Sequence, residues 1–387
     1  MLLIKNGNVY LGNGDLKPNR DILIEDGCIK AVEEGIDSSK AKTVIDAAGK
    51  YVYPGFVLAL SAVGAVNFAD GFRNWDNNET SNPITPQMDV RHAFDLKELN
   101  LQRFTRAGIT SYGLSPGTNN LLAGQMSFIS SAGCKRGDVF LSEKMALKGN
   151  FTKTVKTVYG EGKSVSPKTR MAMFQMMDEA FRSASEYIEK QNSDKAPDYD
   201  EGKEVLARVL KREIPFIVNA NTRSEIESMI ALGDKHKLEM VICGAFAVEN
   251  CWEEIVKRNW HVILGDLTFD TIGIDNKTNL SNLTALYRKG LKLSISCSGD
   301  MGYPPAYEQL LWIAALMHQA GATGDEIIDM MSINPARALR MEKLVGSITA
   351  GKRADIILCN GNPATRFDNI VERTFIGGIE RYKREGV

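Results

Sequence analysis

Two hydrophobic patterns divide the 387-residue chain. The first 52 residues alternate short apolar runs with turn dipeptides such as Asn6-Gly7 and Asp26-Gly27, which are typical of β-hairpins. Residues 346–387 repeat this pattern around the apolar run at 356–359. Because neither end is long enough to bury a core of its own, we predict that residues 1–52 and 346–387 together form a small composite β-sandwich.

Residues 53–345 have a different pattern, in which short apolar runs alternate with longer helical stretches. The apolar runs lie at 109–112, 216–218, 240–243, 261–264 and 293–296, and the helical stretches at 170–190, 200–212, 224–235, 248–258 and 307–320. Continuous apolar strands separated by helices are typical of a parallel sheet covered by helices. We therefore predict an α/β fold in which residues 53–345 form a (β/α)8 TIM-type barrel.

Composition narrows the functional classes. The net charge of −1 argues against nucleic-acid binding, which needs a basic patch or stripe. No run approaches 18 apolar residues, so no membrane span is expected, and the N-terminus has the pattern of a strand rather than a signal peptide. The six cysteines are scattered without a C-x-x-C pair. This favours reduced thiols and a cytoplasmic protein.

Several segments, in chain order, resemble motifs of the amidohydrolase superfamily. Residues 346–357 (GSITAGKRADII) are similar to its C-terminal signature, and residues 332–339 (SINPARAL) to the helix that precedes it. Residues 46–56, which end in Pro54-Gly55-Phe56, resemble the start of the barrel. Residues 79–86 and 108–125 are similar to the imidazolonepropionase-related branch. The resemblance covers essentially the whole chain and implies hydrolysis of non-peptide C–N bonds.

The superfamily's chemistry uses one or two divalent ions at the carboxyl ends of the barrel strands, where they activate a water molecule. In the family, a His-x-His pair follows Pro-Gly-Phe on the first strand. The corresponding residues in this chain are Leu60 and Ala62. The histidine position on strand five corresponds to Asn219 and Asn221, and that on strand six to Gly244. We therefore expect no bound metal and no cofactor.

Other positions complete the vestigial pocket that the resemblance implies. The strand-eight aspartate corresponds to Ser298 or, with a shift of two residues, to Asp300, and Lys148 corresponds to the bridging lysine of strand four. Asp266 and Asp270 follow strand seven, where they cap a helix or line the pocket. The candidate pocket residues are Asn219, Asn221, Ser298, Asp300 and Lys148.

No other residues supply the missing chemistry. The four histidines, His92, His236, His261 and His318, share no helix face or strand end, and a surface or structural role is expected for each. A nucleophilic Cys243 or Cys297 would need a nearby base to form thiolate, and no histidine is placed to act as one.

Three functions remain open. The leading hypothesis is a catalytically degenerate amidohydrolase that serves as a structural or regulatory subunit, in a homo-oligomer or in a hetero-oligomer with an active paralogue. The second is a hydrolase of cyclic amides or other C–N bonds that uses an atypical site. The third is a small-molecule-binding protein that reuses the old pocket, because function depends on the site rather than on the fold.

Overall fold

The computed structural model describes residues 1–66, 75–98, 100–133, 135–191, 197–265, 278–297, 306–366 and 368–386. The strands in these ranges are β1 (Leu2–Tyr10), β2 (Leu16–Glu25), β3 (Cys28–Glu33), β4 (Thr43–Asp46), β5 (Tyr51–Pro54), β6 (Phe56–Ser61), β7 (Ile109–Leu114), β8 (Leu122–Ser130), β9 (Phe140–Asn150), β10 (Phe216–Ala220), β11 (Met240–Gly244), β12 (His261–Leu264), β13 (Lys292–Ile295), β14 (Ile356–Cys359), β15 (Val371–Ile376) and β16 (Ile379–Lys383).

The helices in the same ranges are α1 (Asn100–Arg106), α2 (Arg136–Val139), α3 (Lys153–Lys156), α4 (Arg170–Gln191), α5 (Glu201–Leu210), α6 (Arg223–His236), α7 (Trp252–Lys257), α8 (Leu280–Arg288), α9 (Ala306–Gln319), α10 (Gly324–Met331) and α11 (Ile333–Ala338). None of the helices in the described ranges has the length and apolar character needed to cross a membrane.

Strands from both ends of the chain share one eight-stranded sheet. Its order is β16-β15-β14-β5-β1-β2-β3, and β4 pairs with β1. The C-terminal strand β14 lies antiparallel between β5 and β15, so the two ends of the chain complete each other. The prediction that the two ends form one sheet system is confirmed, whereas their folding into a two-layered sandwich stays a prediction.

The central segment forms a second eight-stranded sheet, in the order β13-β12-β11-β10-β9-β8-β7-β6, which curves into a TIM-like barrel. Side chains from β6, β8, β9, β10, β11 and β12 meet in one apolar cluster inside it. Residues of α11 belong to the same cluster. The carboxyl ends of the parallel strands lie together at one end of the barrel, which we call the mouth.

One strand departs from the predicted parallel sheet. β8 runs antiparallel to both of its neighbours, β7 and β9. Only residues 115–121 connect β7 to β8, and a parallel connection requires a crossover of a dozen or more residues. The expectation of an entirely parallel barrel was therefore wrong at this strand, because the link is too short to carry the chain back.

A partly buried ion pair joins the terminal sheet to the barrel. Arg353 Nε donates to Asp355 Oδ1 at 2.9 Å, and Arg353 Nη2 donates to Ser130 Oγ of β8 at 3.2 Å. The same Asp355 oxygen accepts from the backbone N–H of Gly377 at 2.8 Å. Burial raises the pKa of Asp355, although Arg353 and these hydrogen bonds oppose the shift. The Gly-Lys-Arg-Ala-Asp segment thus anchors the sheet to the barrel.

Candidate functional site

The β6 side of the mouth is apolar. Leu60 is only 6% exposed and packs into the cluster inside the barrel. Ala62 follows the strand and is fully buried. A leucine and an alanine have no lone pair to offer a cation. The first pair of sequence-predicted positions therefore lies in the hydrophobic core and carries no donor atom.

Asn219 lies on β10, in register with Asn150 of β9 on one side and Cys243 of β11 on the other. Its side chain is half-buried, and its Oδ1 atom is buried without a hydrogen-bond partner in the described part of the chain. A buried carbonyl oxygen without a donor costs free energy. Asn219 therefore presents an unsatisfied acceptor near the mouth.

Asn221 and Gly244 lie against each other at the ends of β10 and β11. Gly244 has a φ of +78°, a conformation that glycine adopts without steric cost. The side-chain oxygen of Asn221 occupies the space in which a Cβ on Gly244 would stand. Asn221 is held there because its backbone N–H donates to Glu225 Oε2 at 2.9 Å and its carbonyl accepts from Ala247 N at 2.9 Å. The space that a side chain at position 244 would need is therefore already filled by Asn221.

Lys148 on β9 is almost completely buried, at 1% exposure. Its Nζ donates to the backbone carbonyl of Gly149 at 3.0 Å and to Asn150 Oδ1 at 2.5 Å. The amide of Asn150 in turn donates to the backbone carbonyls of Gly117 at 3.2 Å and Asn120 at 2.7 Å. A buried ammonium is tolerated when oxygen atoms surround it. Asn150 therefore couples Lys148 to the loop 115–121.

The polar network continues beyond this loop. Asn120 Nδ2 donates to Thr85 Oγ1 at 2.8 Å, and Asn120 Oδ1 accepts from the Tyr159 hydroxyl at 2.7 Å. Burial raises the pKa of Tyr159 to about 12, so its hydroxyl stays protonated at neutral pH and can donate. We call Lys148, Asn150, Asn120, Tyr159 and Thr85 the mouth network.

Comparison with known proteins identifies the family. A model of the amidohydrolase family matches residues 146–379, which is more than half of the chain. The chain belongs to the amidohydrolase family. The resemblance found in the sequence is thereby confirmed, whereas the imidazolonepropionase-related branch stays a prediction.

Three related proteins show how far the similarity extends. The crystal structure of an amidohydrolase from Thermotoga maritima MSB8 is similar with a TM-score of 0.91 and 26% identity, and covers 99% of this chain and 100% of that chain. Amidohydrolase tasK of Hapsidospora irregularis is 22% identical over 383 residues, 89% of this chain and 38% of tasK. N-substituted formamide deformylase of Arthrobacter pascens is 32% identical over 112 residues, 25% of this chain and 20% of that protein. The chain thus spans well under half the length of these two curated relatives.

The described residues at the mouth do not fit the metal site of an amidohydrolase. Leu60 and Ala62 offer no ligand atom, and Gly244 has no side chain. Asn219 supplies only a neutral oxygen, whereas imidazoles and carboxylates are the ligands that hold such ions. Among the residues that the structure describes, no three His, Cys, Asp or Glu side chains form a group that could hold a metal ion. Ser298, Asp300, Asp266 and Asp270 lie outside the described residues.

The histidines of this amidohydrolase-family protein belong to no metal-binding group in the described part of the chain. His92 and His318 are exposed, and His236 Nε2 lies 2.9 Å from Asp178 Oδ1, on helix α4. His261 is the first residue of β12, at the opposite end of the barrel. Burial and the charges of Lys292 and Arg337 lower its pKa to about 4.

The sequence did not predict that the five residues of the mouth network form one connected set. Lys148, the loop 115–121 and the segment 79–86, which contains Thr85, were singled out, but Asn150 and Tyr159 carried no local signal. Tyr159 lies 39 residues from its partner Asn120, and Asn120 lies 35 residues from Thr85. The spacing of residues along one element cannot reveal such pairs.

Proposed function

We propose that this protein is a catalytically inactive member of the amidohydrolase family that serves as a structural or regulatory subunit, in a homo-oligomer or together with a relative that has a complete ligand set. The observation that carries the proposal is the packing of Asn221 onto Gly244. Replacement of a histidine by a smaller residue would by itself leave space for an imidazole. Here the backbone conformation of Gly244 and the side chain of Asn221 fill that space.

The β6 side of the mouth supports the same proposal. Leu60 and Ala62 are packed as core residues, so restoring a histidine would place a polar ring among apolar side chains. Three ligand positions on two different strands are therefore unsuitable for metal chemistry. Meanwhile the mouth network keeps its hydrogen bonds, which indicates that the shape of the barrel end remains specified.

The experiment compares the wild-type protein with the double variant Leu60→His/Ala62→His. Because metal affinity requires several ligands and their supporting hydrogen bonds, we expect neither protein to bind stoichiometric zinc or to hydrolyse a cyclic amide such as dihydroorotate. Metal content is measured by plasma mass spectrometry after growth with added zinc. Metal-dependent turnover by the wild-type protein would overturn the proposal and favour an active hydrolase with an atypical site.

The role as a subunit requires a partner. We expect native mass spectrometry of the protein purified from its own cells to show an assembly larger than the 42.7 kDa chain. A monomer that does not bind amidohydrolases from the same cells would contradict this part of the proposal.

A second candidate is a binding protein for a small neutral amide, and the unsatisfied Asn219 Oδ1 favours it. An amide N–H from a ligand would supply the missing donor. A panel of cyclic amides should then raise the melting temperature of the wild-type protein. The nearly isosteric variant Asn219→Leu should show no such shift, whereas its melting temperature without ligand should equal that of the wild-type protein.

A further inference from the structure

A cavity of about 520 Å³ lies at the end of the barrel opposite to the mouth. Its lining includes His261 and Lys292, the first residues of β12 and β13, and Arg337 of α11. Since parallel strands begin at this end, the cavity is separated from the mouth by the apolar interior of the barrel. We call it the basic cavity.

Two of the basic residues that line the cavity are neutralised. Arg258 Nη2 lies 2.6 Å from Asp234 Oδ2, and its Nη1 lies 2.5 Å from Glu254 Oε2. Arg340 Nη2 lies 2.5 Å from Glu239 Oε2. These arginines already have carboxylate partners and leave little charge for a ligand.

In the described part of the chain, three other cations of the lining donate hydrogen bonds to neutral partners only. Arg212 Nε donates to the backbone carbonyl of Lys237 at 3.0 Å, and Lys292 Nζ donates to that of Asn259 at 3.4 Å. Arg337 Nη2 donates to Asn13 Oδ1 at 2.8 Å. Within the described ranges none of the three forms an ion pair with a carboxylate. Neutral oxygens satisfy the hydrogen bonds of these three side chains, but no carboxylate is bonded to them in the described ranges.

The cations lie close enough to repel one another. Burial and then the charge of Arg337 lower the pKa of Lys292. Burial, Lys292 and Arg337 in that order lower the pKa of His261. Two carboxylates of the lining oppose these cations. Glu239, which is paired with Arg340, raises the pKa of Lys292. Glu342 Oε2 is buried without a hydrogen-bond partner in the described structure. Like charges gathered in one recess raise the free energy of the empty cavity, and an anion would remove this repulsion.

We propose that the basic cavity binds a small molecule that carries a phosphate or pyrophosphate group. Guanidinium forks and an ammonium group are the side chains that bind phosphate oxygens. The cavity is in the size range of small-ligand pockets, which reach several hundred Å³, so it has room for an organic body beside the anionic group. The cations line a recess rather than an extended stripe, which favours a small anion over a nucleic acid.

Isothermal titration calorimetry with inorganic pyrophosphate at low ionic strength tests the proposal. We expect saturable binding to the wild-type protein that is weakened about tenfold or more by Lys292→Gln, since a charge-assisted hydrogen bond is lost. Arg337→Gln should act in the same direction. Glu342→Gln should tighten binding, because it removes one of the two opposing carboxylates. Added salt should weaken binding.

The control variant is Arg366→Gln, since Arg366 is an exposed arginine, bonded to Asp368, that does not line this cavity. It should bind pyrophosphate as the wild-type protein does. Thermal melts confirm that each variant is folded, and Lys292→Gln keeps the test decisive if Arg337→Gln is unstable. Absent binding, equal affinity of Lys292→Gln and wild type, or tighter binding of a short DNA duplex than of pyrophosphate would each overturn the proposal.

Discussion

The side-chain oxygen of Asn221 occupies the volume beside Gly244 in which any other residue would place its Cβ. Gly244 also has a φ of +78°, which disfavours residues with a side chain. The two residues therefore specify each other: the glycine permits the asparagine, and the asparagine excludes a larger residue.

This relationship predicts a large cost for Gly244→Ala. Backbone strain and overpacking together should lower the free energy of unfolding by about 2–4 kcal/mol. Urea unfolding measures the change. The control is Gly290→Ala, which has a φ of +101° and no atom within 4 Å of the added Cβ, so it reports strain alone. Equal costs for the two variants would contradict the packing argument.

Asn150→Ala should damage the mouth network. It removes the donor to the carbonyls of Gly117 and Asn120 and one acceptor of Lys148. Leaving buried polar groups unsatisfied should lower the free energy of unfolding by about 2–4 kcal/mol.

Limited proteolysis tests the effect of Asn150→Ala on the loop 115–121. The loop loses its hydrogen bonds to the Asn150 side chain of β9 in this variant, so we expect faster cleavage there. Tyr159→Phe is the matched control, since it deletes one hydroxyl and keeps the ring. We expect it to cost about 1 kcal/mol. A protease-resistant Asn150→Ala protein with wild-type stability would show that the network contributes little.

The lowered pKa of His261 should make the free energy of unfolding depend on pH. Its folded-state pKa of about 4 lies below the ordinary value near 6.5, so the unfolded chain binds the proton first as the pH falls. The stabilisation is complete above pH 6.5 and is lost progressively between pH 6.5 and 4, to a limit of about 3 kcal/mol.

Melting temperatures between pH 7.5 and 4.5 test this dependence. His261→Gln should fall less steeply with decreasing pH than the wild-type protein does. His318→Gln, at an exposed position of α9, should keep the wild-type slope. If both variants follow the wild-type curve, protonation of His261 does not determine acid stability.

Deletion of residues 346–387 tests whether the two ends form one unit. It removes β14 and therefore leaves one edge of β5 without its partner. An unpaired strand edge promotes association, so we expect an aggregating chain without a cooperative unfolding transition. A chain that ends after Arg384 keeps every strand and should unfold as the full chain does. A monomeric, cooperative 1–345 chain would show that the N-terminal strands need no partner.

The sequence predicts the positions of strands better than their direction. The apolar runs at 216–218, 240–243 and 261–264 became β10, β11 and β12 with boundaries shifted by at most two residues. Such runs are strong signals because strands buried on both faces are apolar throughout. The antiparallel course of β8 was not predicted, because periodicity reports which residues are buried and not which way the chain runs.

The candidate site was predictable only where the family motif fixes a position. Leu60, Ala62 and Gly244 could be located in this way, and so could Lys148. The clash of Asn221 with a Cβ on Gly244 depends on a backbone angle and on the end of a neighbouring strand. Neither the backbone angle nor the relative position of the two strand ends can be predicted from a single sequence. The basic cavity likewise gathers residues from 212 to 342 that share no motif.

The barrel closes between β13 and β6, the two ends of its sheet order. We call this junction the seam. No described ladder joins β13 to β6, and a hydrogen bond of 3.5 Å from Ser296 Oγ to the carbonyl of Leu60 spans 236 residues across this gap. Across the hairpin of β7 and β8, residues 114 and 127 already pair. Closing the longer loop costs roughly 2–3 kcal/mol more in chain entropy. The seam beside Leu60 should therefore close last and open first, so amide hydrogens of β6 should exchange before those of β10.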